Sequence, residues 1–218
     1  MNKWRDRDPS QTTIKRKESQ LNPLKTVCVF CGCSDHINEP YIQPTREMGY
    51  AIADRGLTVV YGGGRTGLMG ALADSALERG AKVIGILPEV FDTPILAHQN
   101  LTELHVVKTM HERKARMADL ADAFIALPGG FGTFEELFEI LTWAQIGIHT
   151  RPVGILNING YFDPLFTLIE HARSEGFIYD EHRSLLMYDS NPNTLLDQMS
   201  SYNPPADLDR WVNREREI

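Results

Sequence analysis

Along the chain, short apolar runs alternate with longer stretches in which apolar positions recur at helical spacing. The runs occupy residues 27–30, 57–61, 81–87, 123–127 and 152–156, with less continuous ones at 104–107 and 185–188. A run that is apolar throughout, and not only at every second position, suits a strand covered on both faces, as in a parallel sheet. Helical stretches near 40–55, 66–79, 109–121, 133–147 and 161–175 separate the runs and make repeated βα units. This order predicts an α/β fold: a single doubly wound, Rossmann-like domain over 25–218, with a mainly parallel sheet flanked by helices. In such folds ligands bind where the carboxyl ends of strands meet helix N-termini. Residues 1–24 break the pattern. They are polar and mixed in charge, with Lys15, Arg16 and Lys17 together, and read as a flexible N-terminal tail.

Composition narrows the classes. The chain has 218 residues, 42% hydrophobic and 23% charged. That balance excludes a disordered, collagen-like or disulfide-scaffold protein. The net charge is −7. The first 24 residues hold six basic and three acidic side chains, which leaves 16 basic against 26 acidic in the rest, a balance of −10. An acidic body argues against sequence-independent contact with nucleic acid, so an anionic ligand needs a local site. The three cysteines, Cys28, Cys31 and Cys33, are no secreted disulfide framework. No apolar run reaches the length of a membrane span, and the first residues lack the apolar core of a signal peptide. The expectation is a cytoplasmic protein with reduced thiols and no membrane partner.

Two glycine-rich turns follow apolar runs and open helices. The first runs from Tyr61 through Gly62, Gly63, Gly64 and Gly67 to Gly70, the second from Leu127 through Pro128, Gly129, Gly130 and Gly132 to Thr133. Glycine lets the backbone approach a ligand closely, and a helix N-terminus offers N–H groups and partial positive charge, so such turns suit phosphate. Gly62, Gly64 and Gly67 also fit a dinucleotide fingerprint, with Glu89 as an acidic ribose partner. That reading is set aside: the turn follows the second strand, and the second glycine turn stays unexplained.

The helix near 109–121 carries a basic pair on its apolar stripe. At about 100° per residue, Met110, Arg113, Lys114 and Met117 share one arc. Either the two cations snorkel to the rim or they face an anion. Glu136 also has two readings. Thr133 and Glu136 form a capping-box pattern, in which the carboxylate folds back onto a backbone N–H. Alternatively the carboxylate stands beside the ligand, with a cation near it.

Pro128-Gly129-Gly130-x-Gly132-Thr133-x-x-Glu136 resembles the main signature of the LOG family, the cytokinin riboside 5′-monophosphate phosphoribohydrolases, often labelled lysine decarboxylase-like. Four further segments carry the likeness: Phe30-Cys31-Gly32, Tyr61 to Gly64 with Gly67 to Gly70, Met110-His111-x-Arg113-Lys114, and Thr142-Trp143-Ala144-Gln145 with Gly147. The resemblance spans about residues 26–186. It implies a Rossmann-like homodimer that hydrolyses the N-glycosidic bond of AMP or an N6-modified AMP to the free base and ribose 5-phosphate, with no metal or other cofactor. It implies Arg113 and Glu136 as the catalytic pair and Gly130, Gly132 and Thr133 at the phosphate. It places Lys114 and Thr142 along the substrate, together with Gly32, Ser34, Gly63, Gly64 and Met110. A carboxylate near C1′ suits an oxocarbenium-like transition state, and Arg113 is expected to keep Glu136 ionised by lowering its pKa.

Two positions depart from the family pattern. Cys33 stands where relatives often have serine, and Ile95 where they often have a substrate-contacting glutamate. Both bear on base preference. A metal site at Cys28, Cys31 and Cys33 is disfavoured, because strand alternation sends Cys28 and Cys31 to opposite faces. A decarboxylase would need pyridoxal phosphate on a lysine, and Lys114 has no companion motif. The alternative of another class is a non-catalytic carrier of a phosphorylated ligand, such as a molybdenum-cofactor carrier. Finally, Leu137, Phe138, Ile140, Leu141, Trp143, Ala144, Ile146 and Ile148 surround their helix, which predicts burial on more than one side: either a central helix in a monomer core or, as the family resemblance implies, a homodimer.

Overall fold

The computed structural model describes residues 23–206 and 208. The expected tail lies, for residues 1–22, outside the described residues. Seven strands form one sheet: β1 (Thr26–Phe30), β2 (Thr58–Tyr61), β3 (Val83–Pro88), β4 (Glu103–Val107), β5 (Ala123–Ala126), β6 (Val153–Leu156) and β7 (Leu186–Asp189). Their order is β4-β3-β2-β1-β5-β6-β7, and every pairing is parallel. The helices are α1 (Ile42–Asp54), α2 (Gly67–Glu78), α3 (Met110–Leu120), α4 (Phe131–Gln145), α5 (Asp163–Ser174) and α6 (Pro192–Ser200).

The chain winds outward from β1 to β4, then crosses back to β5 and winds outward the other way. A right-handed crossover places its helix on the face set by its direction of travel. So α1 and α2 cover one face, and α3, α4 and α5 the other. The core is split accordingly. Val27, Val29 and Cys31 pack with Met48, Ile52, Leu68 and Leu72 on one side. Cys28 and Phe30 pack with Met117, Phe124, Leu137 and Ile140 on the other. The two thiols do point to opposite faces, and burial pushes both well above their ordinary range. The edge strands β4 and β7 are only partly covered, which explains why their sequence runs are less continuous. Among the described residues, no helix is long and apolar enough to cross a membrane.

Strand and helix ends fall within two residues of the expected ones, and one helix lies outside the expected set. Helix α6 falls beyond the predicted helical stretches, although Asn191 caps it by accepting from the N–H groups of Asn193 and Thr194, with Pro192 in its first turn. Helix α4 begins at Phe131 with Gly130 as its N-cap, earlier than the expected 133. Thr133 is therefore inside the helix, and the capping-box pairing with Glu136 does not form.

Candidate active site

The winding direction reverses between β1 and β5, and a cavity of about 780 Å³ opens there at the carboxyl ends of the strands. Its walls come from the segments after β1, β2, β3, β5 and β6 and from the first turns of α3 and α4. Three of these segments meet at Gly32. Its N–H donates to the Pro128 carbonyl at 3.0 Å, and its carbonyl accepts from the N–H groups of Leu68 and Met69 at the start of α2. Two of the N–H groups opening α2 are thus engaged by protein; both helices open on the cavity, α2 through Leu68 and Met69 and α4 through Gly130, Gly132 and Thr133. Of the two glycine turns expected to suit an anion, the one opening α4 keeps more of its N–H groups clear of protein partners.

At the centre, Arg113 and Glu136 are 7% and 5% exposed. Nη1 of Arg113 donates to Oε1 of Glu136 at 2.8 Å, and Nε donates to the Ile86 carbonyl at 3.2 Å. The α3 stripe brings Arg113 inward, and Thr109 caps that helix by accepting from the Glu112 N–H. Burial raises the Glu136 carboxyl above its ordinary 4.5, and Arg113 opposes the rise without reversing it. The expectation that the cation sets Glu136 low is corrected: desolvation outweighs it. Gly62 explains how the guanidinium fits. A Cβ at this position would stand 2.2 Å from Arg113 Nη2.

Of the residues implied for the site, Gly32, Ser34, Gly64, Met110, Arg113, Gly130, Gly132, Thr133 and Glu136 line the cavity. Gly63, Lys114 and Thr142 do not. Gly63 turns at φ +78 against Leu87. Lys114 Nζ donates to Glu135 and, at 2.9 Å, to Glu139, clasping α3 to α4 outside the cavity. Thr142 donates to the Phe138 carbonyl inside α4. Glu89 and Ile95 are also outside the lining, and Ile95 is 76% exposed. Sequence reading missed Ile37, Tyr41, Met69, Phe91, Leu96 and Tyr161, which supply an apolar and aromatic wall. Only their apolar character signalled them. Helix α4 buries Leu137 and Ile140 against the sheet and Ala144 against Leu185, and it leaves Phe138 exposed, as is Ile148 just beyond its end.

Comparisons with known proteins show the family and the fold. A family model described as "Possible lysine decarboxylase" matches residues 69–199. A cytokinin riboside 5′-monophosphate phosphoribohydrolase of Rhodococcoides fascians is 51% identical over 177 residues, covering 81% of this chain and 89% of that protein. One of Arabidopsis thaliana is 40% identical over 190 residues, covering 87% and 89%. Among solved structures, the molybdenum cofactor binding protein of Rippkaea orientalis matches with a TM-score of 0.63 at 19% identity, covering 81% of this chain and 96% of that one. The molybdenum cofactor carrier protein of Chlamydomonas reinhardtii matches at 0.61 and 19%, covering 82% and 99%. At such identity the likeness is one of fold.

Proposed function

The chain belongs to the LOG family, and from that premise we propose that it is a nucleoside 5′-monophosphate phosphoribohydrolase, which cleaves the N-glycosidic bond of AMP or an N6-modified AMP. The products are the free base and ribose 5-phosphate. The observation that carries the reading is the buried Arg113–Glu136 pair, set in the same cavity as the open first turn of α4. Phosphate rests on that turn, at Gly130, Gly132 and Thr133, where N–H groups and the helix dipole favour an anion. The ribose then reaches the pair. As the C1′–N9 bond breaks, its electrons leave with the base, and the Glu136 carboxylate stabilises the positive charge at C1′. Water attacks C1′ and yields a proton to the same carboxylate, whose raised pKa suits it as a base, while the departing base takes up a proton from solvent; Glu136 then returns its own proton to solvent. Arg113 orients the carboxylate.

The decarboxylase label does not suit the site. Among the described residues, none that lines the cavity is a lysine, and Lys114 is tied to Glu135 and Glu139. The apolar wall of Ile37, Phe91 and Leu96 suits a base with an apolar N6 substituent. A homodimer is supported by Phe138 exposed on α4, by Ile148 exposed just after it, and by Phe131, 94% exposed at the start of that helix. A cytoplasmic compartment is supported by three free cysteines within six residues.

The test is chromatography of products after incubation with AMP and with isopentenyl-AMP. Free base appearing with ribose 5-phosphate is the expected result, with isopentenyl-AMP the better substrate. Intact nucleotide that co-elutes with folded protein would replace the enzyme by a carrier. Sedimentation at twice 24.6 kDa is expected, and a purely monomeric species would remove the dimer.

A further inference from the structure

Tyr161 reaches the cavity from the segment after β6, and its hydroxyl donates to the Gly129 carbonyl at 2.6 Å. We infer that Tyr161 is a positioning residue for the phosphate turn: it sets the direction in which the Gly130 N–H faces the 5′-phosphate. The inference rests on the proposed phosphoribohydrolase reading and names a residue that the glycine signature does not contain.

The argument begins with peptide geometry. In a planar trans peptide the carbonyl and the following N–H point in opposite directions. Holding the Gly129 carbonyl on one side therefore aims the Gly130 N–H to the other. Glycine makes this restraint necessary, because a Gly-Gly peptide has little intrinsic preference for one orientation. Gly129 cannot be replaced by a stiffer residue. A Cβ there would lie 2.1 Å from Thr133 Oγ1 and 2.9 Å from the Gly32 nitrogen. The turn must stay glycine to close, so its rigidity has to come from outside.

Tyr161 is itself held firmly. Its ring packs edge-on against Tyr41 at 5.9 Å and Phe162 at 5.0 Å. The preceding turn contains Asn159 at φ 52 and Gly160 at φ +69. Asn157 braces that turn, accepting from the Phe162 N–H and donating to Asp163, both at 2.8 Å. A left-handed asparagine maintained this way marks a backbone shape fixed by its surroundings. What it delivers is the Tyr161 hydroxyl.

Tyr161→Phe keeps the ring contacts and removes the one hydrogen bond. A lost neutral hydrogen bond corresponds to about a 5–10-fold loss of affinity. The expected result is a rise of that size in KM for AMP and in the calorimetric Kd for inorganic phosphate. We expect kcat within about twofold, unchanged affinity for adenosine, and a thermal midpoint close to that of the unmodified chain. Unchanged phosphate affinity would overturn the proposal. So would an equal loss for AMP and adenosine, with or without a lowered midpoint, because that is what a merely structural role produces. If the unmodified protein yields no free base, the function reading fails separately, and the phosphate titration still decides the role of Tyr161.

Discussion

Arg113 and Glu136 meet at 2.8 Å across the seam between α3 and α4, each almost fully buried. Both charges are largely withdrawn from solvent, so each depends on the other. A buried pair adds little net stability, but removing one partner strands the other, at a cost of about 3–5 kcal/mol. Arg113→Met should therefore destabilise the fold by about that much. Arg113→Met combined with Glu136→Leu should recover most of the loss. Urea unfolding of the single and double variants measures the coupling, and additive losses would contradict it.

Glu136→Gln keeps the shape and removes the charge. Turnover of AMP should fall by about 100-fold or more, in the range of a lost electrostatic or general-base group, while AMP binding persists. Single-turnover rates alongside calorimetric binding separate the two. Near-normal kcat would remove Glu136 from the chemistry.

Gly62→Ala tests the approach of the guanidinium. The added methyl competes with Arg113 Nη2, the far end of a flexible side chain. The fold should survive, and Arg113 should shift against Glu136 without leaving it. We expect kcat to fall at least tenfold with the thermal midpoint lowered only slightly, a pattern unlike that of Arg113→Met.

Activity should show an acid limb above the ordinary carboxylate value of 4.5, because Glu136 must be ionised to serve as base and burial raises its pKa. The sign for stability is opposite. A raised folded pKa means that the unfolded chain releases its proton first, so this group's contribution falls as pH rises through the window above 4.5. Glu136→Gln should remove that slope, as read by unfolding free energy against pH.

His149 gives the reverse slope. Its Nε2–H donates to the Ile140 carbonyl at 3.0 Å and its Nδ1 accepts from the Arg151 N–H at 3.1 Å, so the fold holds it neutral. Burial, with Arg151 adding to it, lowers its pKa from 6.5 to about 4. The unfolded chain takes up the proton first, so stability is present above 6.5 and is lost as pH falls toward 4, by about 3 kcal/mol in full. His149→Gln should flatten this part of the profile.

The pattern along the chain determined the strands, the βα alternation and the edge at which the cavity opens, because dihedral preference and burial period are written locally. It also marked Arg113, Glu136 and the Pro128–Thr133 turn as chemistry. It left the capping box and the ligand-side carboxylate equally open, since both start from the same Thr133-x-x-Glu136. The tertiary structure decided between them by starting α4 at Phe131 and bringing Arg113 onto the carboxylate from 23 residues away. The same holds for adjacent cations on one helix: Arg113 turns into the cavity and Lys114 to Glu135 and Glu139. Tyr161 lies 32 residues beyond Gly129, and only the strand order β1-β5-β6 brings its hydroxyl there. Local spacing sets which face a side chain takes; the partner it meets depends on how distant strands are ordered, which no window of residues contains.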